Sequence, residues 1–149
     1  MADAQAFHSS IRILLVDDFE PWREEICCML QARPELRVIA QAQDGLEAVQ
    51  KAQELTPDLI LLDIGLPKLD GIEVANRIRQ VAPGAKIIFL TQYSDKDIVQ
   101  AALNTGAHGY VLKTDAGREL FTAMAGVLDG DDFVSSGIKE GDSAGTKDT

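Results

Sequence analysis

Leu59-Ile60-Leu61-Leu62-Asp63 decides how this chain folds: four branched apolar residues in a row, closed by an acid. A run with no polar alternation reads as a strand buried on both faces, as in the middle of a parallel sheet. An ionised carboxylate is costly there unless it projects past the strand end toward water, a cation or a substrate. The run Ile11-Arg12-Ile13-Leu14-Leu15-Val16 closes the same way, in Asp17-Asp18. Two buried strands that both end in acid point to one site at one edge of one sheet.

Working outward, apolar runs of strand length alternate with segments of helical period. Strands are expected over 11–16, 37–42, 59–63, 86–91 and 109–112. Between them, 21–32 opens with Pro21 at a first-turn position and ends before Arg33-Pro34. A second helix over 46–55 follows Asp44-Gly45, and a third over 71–81 follows Leu69-Asp70-Gly71, with Ile72, Ala75, Ile78 and Val81 along one stripe. The fourth, 96–104, begins after Ser94-Asp95 as a plausible cap. The fifth, 116–128, sets Leu120, Met124, Val127 and Leu128 on one face. This is an α/β chain, a (βα)5 doubly wound parallel five-stranded sheet with expected order 2-1-3-4-5 and right-handed crossovers. In such sheets ligands sit beyond the carboxyl ends of the strands where the order reverses, here between the first and third strands. The topology rule and the acids select the same place.

Composition narrows the function classes. At 149 residues, 46% hydrophobic and 26% charged, the chain can bury the core of a single soluble domain. A net charge of −10 argues against direct nucleic-acid binding, which needs clustered Lys and Arg. No apolar stretch approaches bilayer-spanning length, and the N-terminus has neither a basic region nor an apolar signal core, so the expectation is a cytoplasmic protein with no membrane contact. Cys27 and Cys28 are neighbours on a helix, where a mutual disulfide would be strained; they read as small residues of a partly buried helix rather than a redox sensor. His8, in a loose N-terminal segment, and His108, in a Gly-rich turn, lack partners at metal-ligand spacing. Residues 1–10 read as a flexible N-terminus and 11–134 as the folded domain. The polar, Gly-rich stretch 135–149 reads as a disordered tail or the start of a linker.

Three carboxylates within a few ångströms repel; a pair about 4 Å apart costs roughly 4 kcal/mol at an effective dielectric near 20. A divalent cation relieves this, and an all-oxygen cluster suits Mg²⁺, which keeps waters and accepts phosphate oxygens. A bland alternative has Asp17 or Asp18 merely capping the next helix. The fourth strand ends in Thr91, a hydroxyl donor, and the fifth leads to Lys113, an ammonium. Alone, each is an ordinary residue. Together with a metal and acids they can hold a tetrahedral oxyanion, with Asp63 placed as the nucleophile that forms an acyl phosphate.

The segment 11–18, the run 59–67 with Asp70-Gly71, Thr91, and Gly106-Ala107-His108-Gly109-Tyr110-Val111-Leu112-Lys113 resemble the receiver domain of two-component response regulators, over about 11–134. The motif around 106–113 and onward to Gly130 is most similar to receivers joined to LuxR-type helix-turn-helix domains, the NarL/FixJ class of transcription regulators. The resemblance implies that Asp63 accepts phosphoryl from a phosphohistidine of a sensor histidine kinase or phosphotransfer protein. It implies that Asp17 or Asp18, Asp63 and the Gly65 backbone carbonyl hold Mg²⁺, with Asp18 the choice for direct ligand. Thr91 and Tyr110 match the family's switch pair, and Lys113 its lysine. Such a domain catalyses its own phosphorylation and dephosphorylation but is not a turnover enzyme, and a phosphorylation-dependent homodimer is a further implied partner. Only about fifteen residues follow Val134, too few for a DNA-binding domain. Thr114 stands where many other receivers have proline. Tyr93 is placed to reach over the site and slow attack by water on the acyl phosphate.

Two other classes compete. A Mg²⁺-dependent aspartyl-phosphate phosphohydrolase usually has a second acid two residues after the nucleophile, where this chain has Gly65. A phosphorylation-independent binding module on the same fold would not need the full acid, Thr and Lys set. Nucleotide-binding motifs of the G-x-x-x-x-G-K-[ST] and G-x-G-x-x-G kinds are missing.

Overall fold

Residue alternation along each central strand sends side chains to opposite faces, and each face is covered by its own helices. In the structure, a computed structural model that describes Phe7 and residues 9–138, the elements run β1 (Ile11–Val16), α1 (Glu20–Leu30), β2 (Leu36–Ala42), α2 (Gly45–Leu55), β3 (Leu59–Leu62), α3 (Gly71–Val81), β4 (Lys86–Thr91), α4 (Lys96–Leu103), β5 (Gly109–Leu112), a 3-10 turn (Lys113–Asp115), α5 (Ala116–Leu128) and β6 (Phe133–Val134). The sheet is parallel with order β2-β1-β3-β4-β5-β6. The expected order holds for the first five strands, and β6 extends the sheet beyond β5. Leu14, Val16, Ile60, Leu62, Ile87 and Phe89 pack under α2, α3 and α4. Ile13, Leu15, Leu59, Leu61, Ile88 and Leu90 pack under α1 and α5. Every residue of β3 is completely buried, as its unbroken apolar run requires. Among the described residues no helix is long and apolar enough to cross a membrane.

Helix starts follow local chemistry where a side chain can cap. Asp44 accepts the Glu47 amide at 2.8 Å, which holds its carboxyl below the usual range, while Glu47 Oε1 accepts the Gln43 amide at 2.9 Å; the Glu47 carboxyl is held low first by Lys51 and then by that amide. Asp70 caps α3 through the Ile72 and Glu73 amides, both at 3.0 Å. Asp95 precedes α4, but its side chain makes no capping bond. On α3 the buried stripe is Gly71, Val74, Ala75 and Ile78, with Ile72 and Val81 only flanking it, one position round from the expected face. On α5, Leu128 is half-buried and the stripe instead includes Ala116 and Ala123.

The largest departure from expectation follows α5. Gly130, at φ +98°, turns the chain back, and β6 pairs with β5 in the register Gly109↔Phe133 and Tyr110↔Val134. Ser135, expected to begin a disordered tail, is fully buried: its hydroxyl lies 2.6 Å from Asp115 Oδ2 and 2.8 Å from Glu119 Oε1 and accepts the Leu112 amide at 3.3 Å. The Ser136 amide and hydroxyl both donate to Glu119, at 3.2 and 2.5 Å. Burial opposes the Glu119 charge, but the two serine hydroxyls outweigh it and hold the carboxyl below its usual range. Residues 136–138 are helical and Ile138 is buried in the same core cluster as Tyr110. Polar, Gly-rich composition therefore misleads at 135–138, because its serines satisfy two acids folded against them. Residues 139–149, the rest of the expected tail, and residues 1–6 and 8, including His8, lie outside the described residues. Half-buried His108 accepts the Ile87 amide on Nδ1 at 3.2 Å, and burial pushes its imidazole below the usual pKa. Cys27 and Cys28 are free thiols, and burial raises the Cys27 pKa, away from a reactive thiolate.

Candidate functional site

The three acids meet where β1 and β3 end side by side. Asp17 continues the ladder, donating its amide to Ala42, and the Asp63 amide donates to Val16; both side chains then leave the sheet at the same edge. Asp17 is 1% exposed and Asp63 6%, whereas Asp18 is exposed. One carboxylate oxygen from each of Asp17, Asp18 and Asp63 lies within 4.8 Å of the others. Asp17 is no helix cap: α1 starts at Glu20 with Phe19 as its cap residue and no side-chain capping bond, while Asp17 Oδ1 accepts the Phe19 amide at 2.8 Å. Arg23, one turn into α1, donates to the Asp17 carbonyl at 2.6 Å and fixes this corner.

Lys113 is the counter-charge. Its Nζ stands 2.8 Å from Asp17 Oδ2 and 3.2 Å from Asp63 Oδ2, and Asp63 Oδ1 accepts the Ile64 amide at 2.7 Å. Burial works against the ammonium, but the two carboxylates outweigh it and raise its pKa. Burial also raises the Asp17 pKa, opposed by Lys113 and reinforced by the charge of Asp63. The Asp17 Oδ2 contact with Lys113 is an ion pair without hydrogen-bond alignment, so that buried oxygen has no hydrogen-bond partner. A buried, ionisable oxygen held only by an ion pair, in an all-oxygen acid cluster, is what a hard divalent cation fits.

A cleft of about 330 Å³ opens over these groups, lined by Asp17, Asp18, Phe19, Asp63, Gly65, Gln92, Tyr93 and Lys113. Gly65 is the second residue past Asp63, and a Cβ there would sit 2.8 Å from the Tyr93 hydroxyl, so Tyr93 lies directly over that loop. Gly71 has a stricter demand: a Cβ would lie 2.0 Å from the Asp63 carbonyl oxygen. The first turn of α3 rests on the backbone of Asp63, and the Gly71 amide donates to Ile64 at 2.7 Å.

Thr91 and Tyr110 occupy different positions from the acids. Thr91 is fully buried at the end of β4, outside the cleft lining, and its hydroxyl accepts the Tyr93 amide at 3.4 Å. Tyr110 is also fully buried, and its hydroxyl donates to the Tyr93 carbonyl at 2.7 Å. Burial first, then the charges of Asp63 and Asp95, push the phenol pKa well up. Tyr110 is therefore a packed ring whose hydroxyl is satisfied by the backbone rather than by water. Both residues hold the backbone of Tyr93, one at its amide and one at its carbonyl. The structure thus gathers Asp17, Asp18, Asp63, Gly65 and Lys113 around one cleft and sets Thr91 and Tyr110 behind it. Phe19, Trp22 and Gln92 went unassigned from sequence. Only Pro21-Trp22, an aromatic one turn after the acid pair, carried a signal for any of them.

Comparison with known proteins agrees. The family described as "Response regulator receiver domain" matches residues 13–125. The chain is 38% identical over 128 residues to "Transcriptional regulatory protein LiaR" of Bacillus subtilis (strain 168), covering 86% of this chain and 61% of that protein. It is 34% identical over 130 residues to "Transcriptional regulatory protein DegU" of Brevibacillus brevis, covering 87% of this chain and 55% of that protein. The chain thus spans little more than half the length of such relatives. Among solved structures, a two-component response regulator of the LuxR family from Aurantimonas sp. SI85-9A1 superposes with a TM-score of 0.84 at 36% identity, covering 89% of this chain and 94% of that one. The response regulator domain of Thermotoga maritima CheB does so with 0.76 at 32% identity, covering 82% and 98%. With the doubly wound sheet, the acids beyond β1 and β3 and these matches in hand, the chain belongs to the receiver domains of two-component response regulators.

Proposed function

We propose that Asp63 is the phosphoacceptor of this receiver, taking a phosphoryl group from the phosphohistidine of a sensor kinase or phosphotransfer protein. The observation that supports this most is the placing of Lys113 between Asp63, at 3.2 Å, and the buried Asp17 oxygen, at 2.8 Å, inside an open cleft. Asp63 attacks phosphorus, the bond to the histidine nitrogen breaks, and a mixed anhydride of the Asp63 carboxyl remains. Mg²⁺, held by Asp17 or Asp18, Asp63 and the Gly65 carbonyl, would supply positive charge to the phosphoryl oxygens. Lys113 moves its charge from the two carboxylates to the phosphoryl oxygens. The receiver is assigned to residues 11–134, with 135–138 packed onto it. It acts as a switch rather than a turnover enzyme, and Gly65, in place of a second acid, disfavours the phosphohydrolase reading. A phosphorylation-dependent homodimer belongs to the same reading, and at a net charge of −10 the chain is not itself a nucleic-acid binder.

Phosphorylation adds about −1.5 to −2 charge and three acceptor oxygens. Thr91 is drawn toward them, and its partner, the Tyr93 amide, links it to the carbonyl that Tyr110 holds. Swinging a two-state equilibrium from 1:99 to 99:1 takes about 5.5 kcal/mol, within reach of two charge-assisted hydrogen bonds of roughly 1.5–3 kcal/mol each plus packing. Incubation with acetyl phosphate and Mg²⁺ is expected to place one base-labile phosphoryl group on the peptide containing Asp63, and EDTA to prevent it. Labelling elsewhere, or labelling indifferent to EDTA, overturns the assignment. Tyr93→Ala uncovers the Gly65 loop to water, so the autodephosphorylation rate is expected to rise severalfold. An unchanged rate removes Tyr93 from the role of water shield.

A further inference from the structure

Lys113 has a third contact besides its two carboxylates: Nζ lies 5.2 Å from the centre of the Trp22 ring. We infer that Trp22 is a positioning residue, a neutral cation–π rest that keeps the Lys113 ammonium at the cleft when its carboxylate partners are engaged elsewhere. The inference rests on the proposal that Lys113 serves phosphoryl transfer to Asp63.

Lys113 carries its charge on a flexible four-carbon stem at the start of a 3-10 turn. Its pairs with Asp17 and Asp63 hold it only while those oxygens are free. The reaction takes both away, one toward a cation and one into a bond with phosphorus. A contact that does not depend on the charge of either acid persists while the ammonium passes from them to the phosphoryl oxygens. The Trp22 ring, fixed in the first turn of α1 by the hydrogen bond its backbone amide donates to the Phe19 carbonyl at 3.1 Å and packed against the core under α1, provides it.

The choice of side chain supports a role beyond packing. The indole Nε1 of Trp22 is buried and donates to nothing. A phenylalanine could fill much of this space without burying an unpaired N–H, which costs free energy. Tryptophan offers the strongest cation–π face of the aromatic residues. An expensive group beside Lys113, the one cation among the described residues that line the cleft, is explained by what its face does for that cation.

Two variants of the full chain, Trp22→Phe and Trp22→Leu, separate this from simple packing. The first readout is independent of phosphorylation: ring current shifts the Lys113 ε-CH₂ resonances upfield in the wild type, the shift shrinks in Trp22→Phe and is lost in Trp22→Leu. The second is the initial rate of labelling by acetyl phosphate with Mg²⁺, expected to fall about three- to tenfold in Trp22→Leu and less in Trp22→Phe. Rates that follow melting temperature rather than the order Trp, Phe, Leu overturn the inference, as do Lys113 resonances indifferent to Trp22→Leu. A wild-type chain that takes no label overturns the proposed function instead, and the Lys113 resonances still decide whether Trp22 holds the lysine.

Discussion

Asp63→Asn is expected to take no phosphoryl group from acetyl phosphate while folding at least as stably as the wild type. A carboxamide cannot form the acyl phosphate, so labelling is lost rather than slowed. Its carbonyl oxygen can still accept the Ile64 amide that Asp63 Oδ1 accepts at 2.7 Å, and the side-chain volume hardly changes. One negative charge leaves a site where Asp17 is already pushed toward protonation by burial and by its neighbour's charge, and Lys113 keeps Asp17 as a partner at 2.8 Å. The melting temperature should therefore stay level or rise by about 2–4 °C, the change that 1 kcal/mol produces in a domain of this size. Thermal melts and base-labile label are read on the same preparation. Retained acid-stable, base-labile label in the variant sinks the assignment of Asp63.

Gly71→Ala is expected to damage both stability and the site, although it changes no functional side chain. Alanine is the better helix former by about 1 kcal/mol. Here its Cβ would sit 2.0 Å from the Asp63 carbonyl oxygen and 2.7 Å from Ile64 Cα, backbone atoms that cannot rotate aside. Overpacking of this kind costs up to about 3 kcal/mol, or roughly 6–12 °C in melting temperature. The strain is relieved by displacing the residue that carries the chemistry, so labelling should fall at temperatures where the variant is still folded. Gly117→Ala on α5 is the control: a Cβ there meets nothing within 4 Å, and the helix should hold or gain stability. A Gly71→Ala protein that melts and labels like the wild type disproves the contact between α3 and Asp63.

Much of this was legible in the chain because it lies in local pattern. The unbroken run in β3 announced burial on both faces, and the acids at the ends of β1 and β3 announced the site once the strand order was in hand. What was not legible depends on partners distant in sequence. The identical carboxylates Asp17 and Asp18 separate only in three dimensions, one buried and ion-paired with Lys113 and the other exposed. The burial of the Tyr110 hydroxyl has no local signal, because its hydrogen-bond acceptor, the Tyr93 carbonyl, belongs to another strand's exit loop. Strand β6 is two residues long, too short for any period, and the serines after it looked solvated because Asp115 and Glu119 sit 20 and 16 residues earlier. The face of α3 drifted by one position because Gly71 must lie inward to clear Asp63, which rotates Val74 into the core.

The clasp of Ser135 and Ser136 on Asp115 and Glu119 ties the last described turn of the chain to the neighbourhood of the cleft. Asp115 closes the same short turn that Lys113 opens, so the grip on the departing chain and the ammonium at the cleft share three consecutive residues. Moving that turn is therefore expected to disturb the hydrogen bonds of Ser135 and Ser136 together with the position of the Lys113 ammonium.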